Sequence, residues 1–283
     1  MAHITTPEAE EILDKEFPVL DHGFVRLVDY LGGDKRIAQS ARVSYGSGTK
    51  TIREDAALID YLLGHQHTSP FEQVVMTFHC KMPIFVARQW IRHRSARINE
   101  ISGRYSVMKD EFYTPDEESI RFQSKDNRQG RSTEEVPAEL RKITLDILLK
   151  NQEEVYADYR KLLDMNIAKE LARINLPLSL YTEWYWQIDL HNLFHFLQLR
   201  MDDHAQYEIR KYANAIAKIT KVVVPIAYDA FEKHILNVIR FSGKELEALS
   251  DQLQGKPHSL TGIHQAEYDR KIKRIAEIVR RIQ

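Results

Sequence analysis

Arginine side chains are concentrated in one short segment of this chain, and their chemistry suits the binding of phosphate. The segment runs from Arg88 to Arg104, contains no lysine and is called here the arginine segment. Its basic side chains are Arg88, Arg92, His93, Arg94, Arg97 and Arg104. A planar guanidinium group can hold phosphate through two parallel hydrogen bonds, whereas a lysine ammonium group acts as a point charge. A solvated charged face is the ordinary explanation of such a run, but this composition favours phosphate recognition.

The familiar glycine-rich phosphate loops do not occur in the sequence. The chain has 11 glycines, and neither GxGxxG nor GxxxxGK[ST] is present. Those loops hold phosphates with backbone N–H groups. A nucleotide bound by this chain would therefore depend on side-chain donors, and Arg92, His93, Arg94 and Arg104 are the densest group of them.

Composition excludes several classes of protein. Forty Lys and Arg against 41 Asp and Glu leave a net charge of −1, so no overall field attracts nucleic acid or an anionic membrane. A single cysteine excludes a disulfide framework and fits a reducing compartment, the cytoplasm by default. No signal peptide and no membrane-spanning run is seen in the sequence. We expect a cytoplasmic protein that binds neither nucleic acid nor membranes.

Hydrophobic patterning predicts an α+β fold. Residues 22–45 predict a strand, a turn and a short helix, and residues 51–64 predict a second helix. Alternation over Val74–Phe85 predicts the clearest strand, in which Cys80 faces the core. We expect a mixed sheet flanked by helices, with a long helical region in the second half of a single-domain subunit.

The second half contains a polar stretch and then helical periodicity. Residues 122–136 are almost wholly polar and are predicted to form an exposed loop. After Pro137, apolar residues recur every three or four positions, which predicts several helices up to about Arg240 and a further helix near the C-terminus.

One of these predicted helices carries an arginine on its apolar face. On a helical wheel started at Asp189, Arg200 falls near about 20°, close to Leu193 at about 40°. Such an arginine is costly unless it is paired, so Arg200 is either a partner of Asp189 or a ligand-binding residue. A second polar face is formed by His191, His195, Gln198 and Asp202, at about 180–240°.

Three motifs resemble those of the flavin-dependent thymidylate synthase family. RHRSARINEISGRYS, residues 92–106, resembles the family signature of RHR, seven residues and Ser. HQHTSPFEQ, residues 65–73, resembles its H-x-[TS]-P-F-E element, and LHNLFHFLQLRMDDHAQYEIR, residues 190–210, resembles its helical FLxLR and HAQxEIR segment. The resemblance implies a catalytic domain over residues 1–240 and a helical extension over residues 241–283.

The resemblance implies an activity and a set of small-molecule partners. The family reductively methylates dUMP to dTMP with the one-carbon unit of methylenetetrahydrofolate and a hydride from FAD that NADPH has reduced. It is typically a homotetramer with active sites at subunit interfaces. No cysteine nucleophile is needed, which agrees with the core-facing phase of Cys80.

The resemblance also assigns residues to roles. Residues implied in FAD binding are Ser69, Arg92, His93, Arg94, Glu100, Asp189, His191 and His195. Residues implied in dUMP binding are Gln89, Arg92, Ser102, Gly103, Arg104, Arg173 and Arg200. Arg200 is the expected catalytic residue, because a guanidinium beside the pyrimidine stabilises negative charge as C5 becomes nucleophilic. Asp189 stands where the family commonly has Asn, so near FAD it would either repel the phosphates or contact the flavin or Arg200.

Two other functions are open on the residues alone. A metal-dependent nucleotide phosphohydrolase is suggested by His65 and His67, by His191 and His195 at i and i+4, and by Asp202, Asp203 and His204. No HExxH motif accompanies them, and we expect no metal. A nucleic-acid-binding module could use the arginine segment, but the net charge of −1 disfavours it, because duplexes require several separated phosphate contacts.

Overall fold

The computed structural model describes residues 4–43, 52–125 and 129–282. By its contacts the chain divides into two compact units, Met1–Asp229 and Ala230–Gln283. Ser44, Tyr45 and Thr51, which belong to predicted elements, lie outside the described residues. The assignment of a catalytic domain to residues 1–240 and of an extension to residues 241–283 stays a prediction.

The first unit is built around a five-stranded sheet. Its strands have the order β1 (Glu16–Val19), β2 (Gly23–Leu31), β3 (Val75–Pro83), β7 (Tyr181–Asp189) and β4 (Ala96–Glu100). Each neighbouring pair is antiparallel, so the predicted α+β class is confirmed, with an antiparallel sheet in place of a mixed one. Two short strands, β5 (Arg121–Gln123) and β6 (Arg131–Glu135), form a separate hairpin.

Helices account for most of the remaining chain. They are α1 (Pro7–Glu10), α2 (Asp34–Arg42), α3 (Ile52–Gly64), α4 (Ile84–Trp90), α5 (Ala138–Asp164), α6 (Lys169–Ala172), α7 (Leu190–Arg200), α8 (Tyr207–Val223), α9 (Pro225–Phe231), α10 (Gly243–Leu253) and α11 (Gly262–Ile282). None of the helices in the described ranges is both long enough and apolar enough to cross a membrane.

The central strand β3 confirms the predicted alternation. Met76, Phe78 and Cys80 are completely buried, whereas Thr77 and His79 between them are partly exposed. Burial raises the pKa of the Cys80 thiol well above its ordinary value. The thiol therefore stays protonated, and it is enclosed in the core as the sequence predicts.

Two sequence predictions about the second half were wrong. Residues 122–136 were expected to form a loop, but Phe122, Gln123 and Arg131–Glu135 belong to the paired strands β5 and β6, because cross-strand pairing does not require an apolar face. Tyr181–Asp189 lies in the region expected to be helical, yet it is β7, which pairs along its whole length with β3. Its alternating aromatic residues, with Trp184 and Trp186 buried, favour a strand that packs one face against the core.

A cluster of aromatic side chains holds α4 against the sheet. The ring of Trp90 lies 5.4 Å from that of Trp184, 5.1 Å from that of Trp186 and 5.0 Å from that of Phe196, measured between centroids. Because α4 has only seven residues, it is too short to be stable by itself and depends on this packing. The cluster thereby fixes where the chain leaves α4 and enters the arginine segment.

The second unit has a small core of its own. Ala248, Leu260 and Tyr268 are buried together, and Phe241 and Ile272 pack against them. Ser242 and Glu245 form a capping box at the start of α10. Glu245 also accepts hydrogen bonds of 2.7 and 2.8 Å from Lys271 of α11, which joins the two helices.

Replacing Trp90 by Ala should lower the free energy of unfolding by about 3–5 kcal/mol, because it empties the centre of the aromatic cluster. Urea denaturation followed by circular dichroism measures the change. Met165→Ala is the control, since its side chain is 69% exposed and should change the value by no more than about 0.5 kcal/mol. Equal losses in the two variants would contradict the role given to Trp90.

Candidate active site

The arginine segment begins on α4 and continues into the edge strand β4. Arg92 and Arg94 are exposed in the connection between these elements, and His93 between them is half-buried. The His93 N–H donates to the carbonyl of Trp90 at 3.0 Å, so the turn starts directly from the anchored end of α4. Neither Arg92 nor Arg94 forms an ion pair with any residue in the described part of the chain, which leaves both guanidinium groups available to an anion.

Arg200, at the end of α7, reaches back to this turn. Its Nε donates to Nε2 of His93 at 3.0 Å, and one Nη donates to the backbone carbonyl of Gln89 at 3.3 Å. The His93 ring also lies 5.8 Å from that of His195 and 5.0 Å from that of Phe196. Four residues predicted from the sequence, Gln89, His93, His195 and Arg200, are thus brought together by α4 and α7.

The electrostatics of this group favour an anionic ligand. Burial lowers the pKa of His93, and the neighbouring Arg200 and His195 lower it further, to about 4. The ring is therefore neutral at pH 7, and its Nε2 lone pair can accept the hydrogen bond from Arg200. Burial lowers the pKa of Arg200 too, although a guanidinium stays charged. No carboxylate of a described residue pairs with Arg200. Both of its hydrogen-bond acceptors are neutral, so they hold the guanidinium in place without neutralising its charge.

A second group of predicted residues lies just after β4. The hydroxyl of Ser102 accepts a hydrogen bond of 3.3 Å from the Arg104 N–H. Gly103 packs against Arg173, and a Cβ at position 103 would lie 3.0 Å from Cδ of that arginine. Glycine therefore allows Arg173 to cross directly over the Ser102–Arg104 turn. Arg104 also pairs with Glu170 at 3.1 Å, in a contact that is about half exposed on each side.

Three further predicted cofactor residues lie in separate strands, turns and helices. Glu100 accepts a hydrogen bond of 2.6 Å from Thr182, Ser69 is exposed in the turn before Phe71–Gln73, and His191 lies half-buried in the first turn of α7. No hydrogen bond, ion pair or ring contact joins these three residues to one another or to Arg200 among the described residues.

Asp189 is the N-cap of α7 and does not pair with Arg200. Its carboxylate accepts hydrogen bonds from the backbone N–H of Asn192 at 3.0 Å and from the side chain of Asn192 at 2.7 Å. Arg200 is at the opposite end of the helix, about 16 Å away along its axis. The sequence left two alternatives for Arg200, a partner of Asp189 or a ligand-binding residue, and the pairing with Asp189 is wrong. Asp189 also lines a cavity of about 540 Å³ with Glu72, Ser95 and Arg97, so a ligand contact is open to it.

The helical wheel gave the correct side for the apolar residues of α7, but the helix is shorter than the wheel assumed. Leu193, Phe196 and Leu197 are buried, and His195 is exposed. Asp202 lies beyond the end of α7, so the predicted second polar face is shorter than expected.

Sequence reasoning missed a buried network beside this group. Glu208 of α8 is completely buried and accepts hydrogen bonds from Tyr113 at 3.1 Å, from Gln206 at 2.8 Å and from Arg131. Gln206 in turn accepts from the side chain of Gln89. The signal was present, because Glu208 shares a helix face with Tyr212 and Ile216, and a carboxylate on an apolar face needs partners.

The residues that suggested a metal site do not converge. Within the described residues, no group of three or more His, Cys, Asp or Glu side chains is arranged to hold a metal ion. His65 instead stacks on Tyr61 at 4.0 Å, and His204 hydrogen-bonds to Asp202 at 2.8 Å.

Comparison with known proteins connects this geometry to a family. Residues 26–226 match the family model described as thymidylate synthase complementing protein. The chain is 64% identical to the flavin-dependent thymidylate synthase of Treponema denticola, over 92% of this chain and 98% of that protein. It belongs to the flavin-dependent thymidylate synthase family. The resemblance found in the motifs is thereby confirmed, and the chain is an enzyme, a methyltransferase.

Further relatives support the same family. A flavin-dependent thymidylate synthase of Thermus thermophilus is 60% identical over 82% of this chain and 84% of that protein. A crystal structure of the UMP/dUMP methylase PolB from Streptomyces cacaoi, bound with 5-Br UMP, superposes with a TM-score of 0.70 at 30% identity. The superposition covers 77% of this chain and 97% of the PolB chain. The family match includes both residue groups described above and ends within α9.

The neutral state of His93 predicts a pH dependence of stability. Its pKa of about 4 in the folded protein is below the value of roughly 6.5 in an unfolded chain, so the unfolded chain binds more protons between these pH values. The free energy of unfolding should therefore fall as the pH falls from about 6.5 towards 4. His93→Gln should reduce this fall, because an amide does not titrate and its oxygen can accept from Arg200.

Urea denaturation at pH 7 and pH 5 measures this effect in the native protein and in His93→Gln. His264→Gln, at an exposed position, is the control and should keep the native pH dependence. A native-like loss of stability in His93→Gln would show that His93 is not the titrating group.

Proposed function

We propose that this enzyme converts dUMP to dTMP by reductive methylation, with methylenetetrahydrofolate as carbon donor and with FAD reduced by NADPH. The observation that carries the proposal is Arg200, a half-buried guanidinium whose protein partners are the neutral ring of His93 and the carbonyl of Gln89. Family membership and the dUMP methylase among the structural relatives support the same reaction.

Arg200 is proposed as the catalytic residue. Methylation at C5 requires negative charge to develop on the pyrimidine, and ionisation at N3 would supply it. A fixed cation whose charge is not neutralised by a carboxylate stabilises that charge without having to reorganise. His93 holds the guanidinium by accepting from Nε and adds no positive charge, because its ring is neutral.

Ser102, Gly103, Arg104 and Arg173 are proposed to hold the dUMP phosphate. The Ser102–Arg104 turn offers a hydroxyl and backbone N–H groups, and Arg173 crosses it where Gly103 leaves room. Two guanidinium groups at one turn are suited to bidentate phosphate binding. Gln89 and Arg92 would complete the substrate site from the end of α4.

The residues around the α4–β4 turn fit a flavin dinucleotide. Arg92 and Arg94 lie exposed there without a described carboxylate partner, as a diphosphate would require. We assign FAD to Arg92, His93 and Arg94 together with Ser69, Glu100, Asp189, His191 and His195. When bound, FAD supplies the hydride that reduces the transferred one-carbon unit to a methyl group.

More than one copy of the chain is proposed to build each site, in a homotetramer. Leu171, Ile174 and Leu178, which flank Arg173, are 58%, 71% and 61% exposed within one chain. Several large apolar side chains left exposed in one short segment are typical of an interface. Leu140, Ile143 and Ile147 of α5 add a second exposed apolar face, with exposures of 46%, 45% and 54%.

Arg200→Ala should retain bound flavin but lose dTMP formation by about 10²- to 10³-fold, as is typical when one preorganised charge-stabilising donor is removed. Single-turnover conversion of dUMP, with flavin content read from the visible spectrum, measures both properties. Arg92→Ala is the contrasting variant and should lose flavin. Normal turnover by Arg200→Ala would remove the catalytic assignment.

Cys80→Ala should form dTMP at close to the native rate. The thiol is completely buried and its raised pKa keeps it protonated, so it cannot act as a nucleophile on the pyrimidine. The same single-turnover assay tests the prediction, with thermal melting to account for the small cavity. A stable Cys80→Ala protein without activity would contradict methylation independent of cysteine.

A further inference from the structure

The buried carboxylate of Glu208 is connected to the proposed substrate site through a single residue, Gln206, which bonds both Glu208 and Gln89. It is at the start of α8, and its side chain is 1% exposed. Oε1 accepts from the hydroxyl of Tyr113 at 3.1 Å and from a guanidinium nitrogen of Arg131, and Oε2 accepts from the side-chain amide of Gln206 at 2.8 Å. All its close partners are therefore donors.

This carboxylate determines which way two successive amide groups point. An ionised carboxylate can only accept hydrogen bonds, so Gln206 must turn its NH2 group towards Glu208. The Gln206 oxygen then faces Gln89 and accepts from the NH2 group of that side chain. The carbonyl oxygen of the Gln89 side chain remains, and no residue in the described ranges donates to it.

Gln89 connects this amide chain to the catalytic group. Its backbone carbonyl accepts from Arg200 at 3.3 Å, and the proposed function places its side chain in the dUMP site. A glutamine can present either an acceptor or a donor to a ligand, and the choice depends on which end its neighbour occupies. Here the NH2 end is occupied, so the acceptor is presented.

We propose that Glu208 is a positioning residue that directs the Gln206–Gln89 amide chain, so that Gln89 presents a hydrogen-bond acceptor to a donor group of the bound nucleotide. This inference rests on the proposed function. The donor is the 3′-hydroxyl of the sugar, because an acceptor held against N3–H would oppose the ionisation of N3 that the proposed function requires.

Glu208→Gln distinguishes this role from a structural one. Tyr113 and Arg131 both donate to Oε1, so the amide oxygen of the new glutamine stays at that position and its NH2 group faces Gln206. Gln206 must then turn its oxygen to position 208 and its NH2 group to Gln89. The Gln89 amide reverses in turn and presents a donor to the nucleotide, where an acceptor is needed.

Exchanging the two side chains restores the original direction. In Gln206→Glu/Glu208→Gln, the NH2 group at position 208 donates to the carboxylate at position 206, whose other oxygen accepts from Gln89. Gln89 again presents its oxygen to the nucleotide, and the net charge is unchanged. Arg131 has lost its carboxylate at position 208 in both variants, so a merely structural role is not rescued by the exchange.

The experiment measures dUMP affinity in the flavin-loaded protein by isothermal titration calorimetry. Glu208→Gln should bind dUMP at least about tenfold more weakly with native flavin content, since a donor faces a donor. The exchanged double variant should bind within about threefold of the native protein. Glu153→Gln, exposed on α5, is the matched control and should bind normally.

Two modified nucleotides identify the donor that Gln89 contacts. 2′,3′-Dideoxyuridine 5′-monophosphate lacks the sugar hydroxyl, and N3-methyl-dUMP lacks the ring N–H. The native protein should bind the dideoxy nucleotide more weakly than dUMP, and that difference should disappear in Glu208→Gln and return in the double variant. The probe that behaves in this way names the group.

Native affinity in Glu208→Gln would overturn the inference, as would a double variant no better than the single one. Unchanged probe differences in Glu208→Gln would overturn it as well. These outcomes are separate from failure of the proposed function, which would appear as a native protein that neither holds flavin nor binds dUMP.

Discussion

The active-site architecture depends on one interaction, the hydrogen bond from the charged guanidinium of Arg200 to the neutral ring of His93. A carboxylate in the place of His93 would hold the arginine equally well, but it would neutralise the charge that the proposed reaction requires. A protonated histidine would repel it. Burial and the adjacent positive charge keep the pKa of His93 at about 4, so the ring remains an uncharged acceptor. Arg200 is thus a positioned cation whose charge is not neutralised by any carboxylate of the described residues.

Packing in the core positions both residues of that hydrogen bond. α4 and α7 are short helices that begin at the ends of β3 and β7, and these strands pair in register over nine residues. Trp90, the last residue of α4, joins this helix to α7, because its ring contacts Trp184 and Trp186 of β7 and Phe196 of α7. One aromatic cluster therefore sets the position of both His93 and Arg200. The buried carboxylate of Glu208 adds a polar connection at the same end of α4, through Gln206 and Gln89.

The sequence predicted those parts of the fold and site whose signals are local. Alternation identified β3, and the presence of Arg200 on an apolar helix face marked it as a residue that needs a ligand or partner. β7 was missed because aromatic residues pack in helices as well as in strands, and what decides is pairing with β3, more than 100 residues earlier. The pairing of Arg121–Gln123 with Arg131–Glu135 was missed for a different reason, since polar strands have no burial pattern.

Polar networks were the least predictable feature. The partners of Glu208 come from three separate regions of the sequence, Tyr113, Arg131 and Gln206. Whether Asp189 pairs with Arg200 could not be decided from the sequence either. Only the extent of α7 shows that this carboxylate caps the opposite end of the helix from Arg200. Residue types in a motif indicate a chemistry, whereas distances and burial decide which residues act on one another.

The central claim is that Arg200 stabilises negative charge on the pyrimidine, and the ionisation of the bound nucleotide tests it most directly. Nitrogen-15 NMR of dUMP labelled at N3, bound to the flavin-loaded protein and followed across pH, reports the pKa of the ring N–H. The account predicts that this pKa lies below that of the free nucleotide in the native protein and returns towards it in Arg200→Ala. A bound pKa equal to or above that of free dUMP in the native protein would contradict the account.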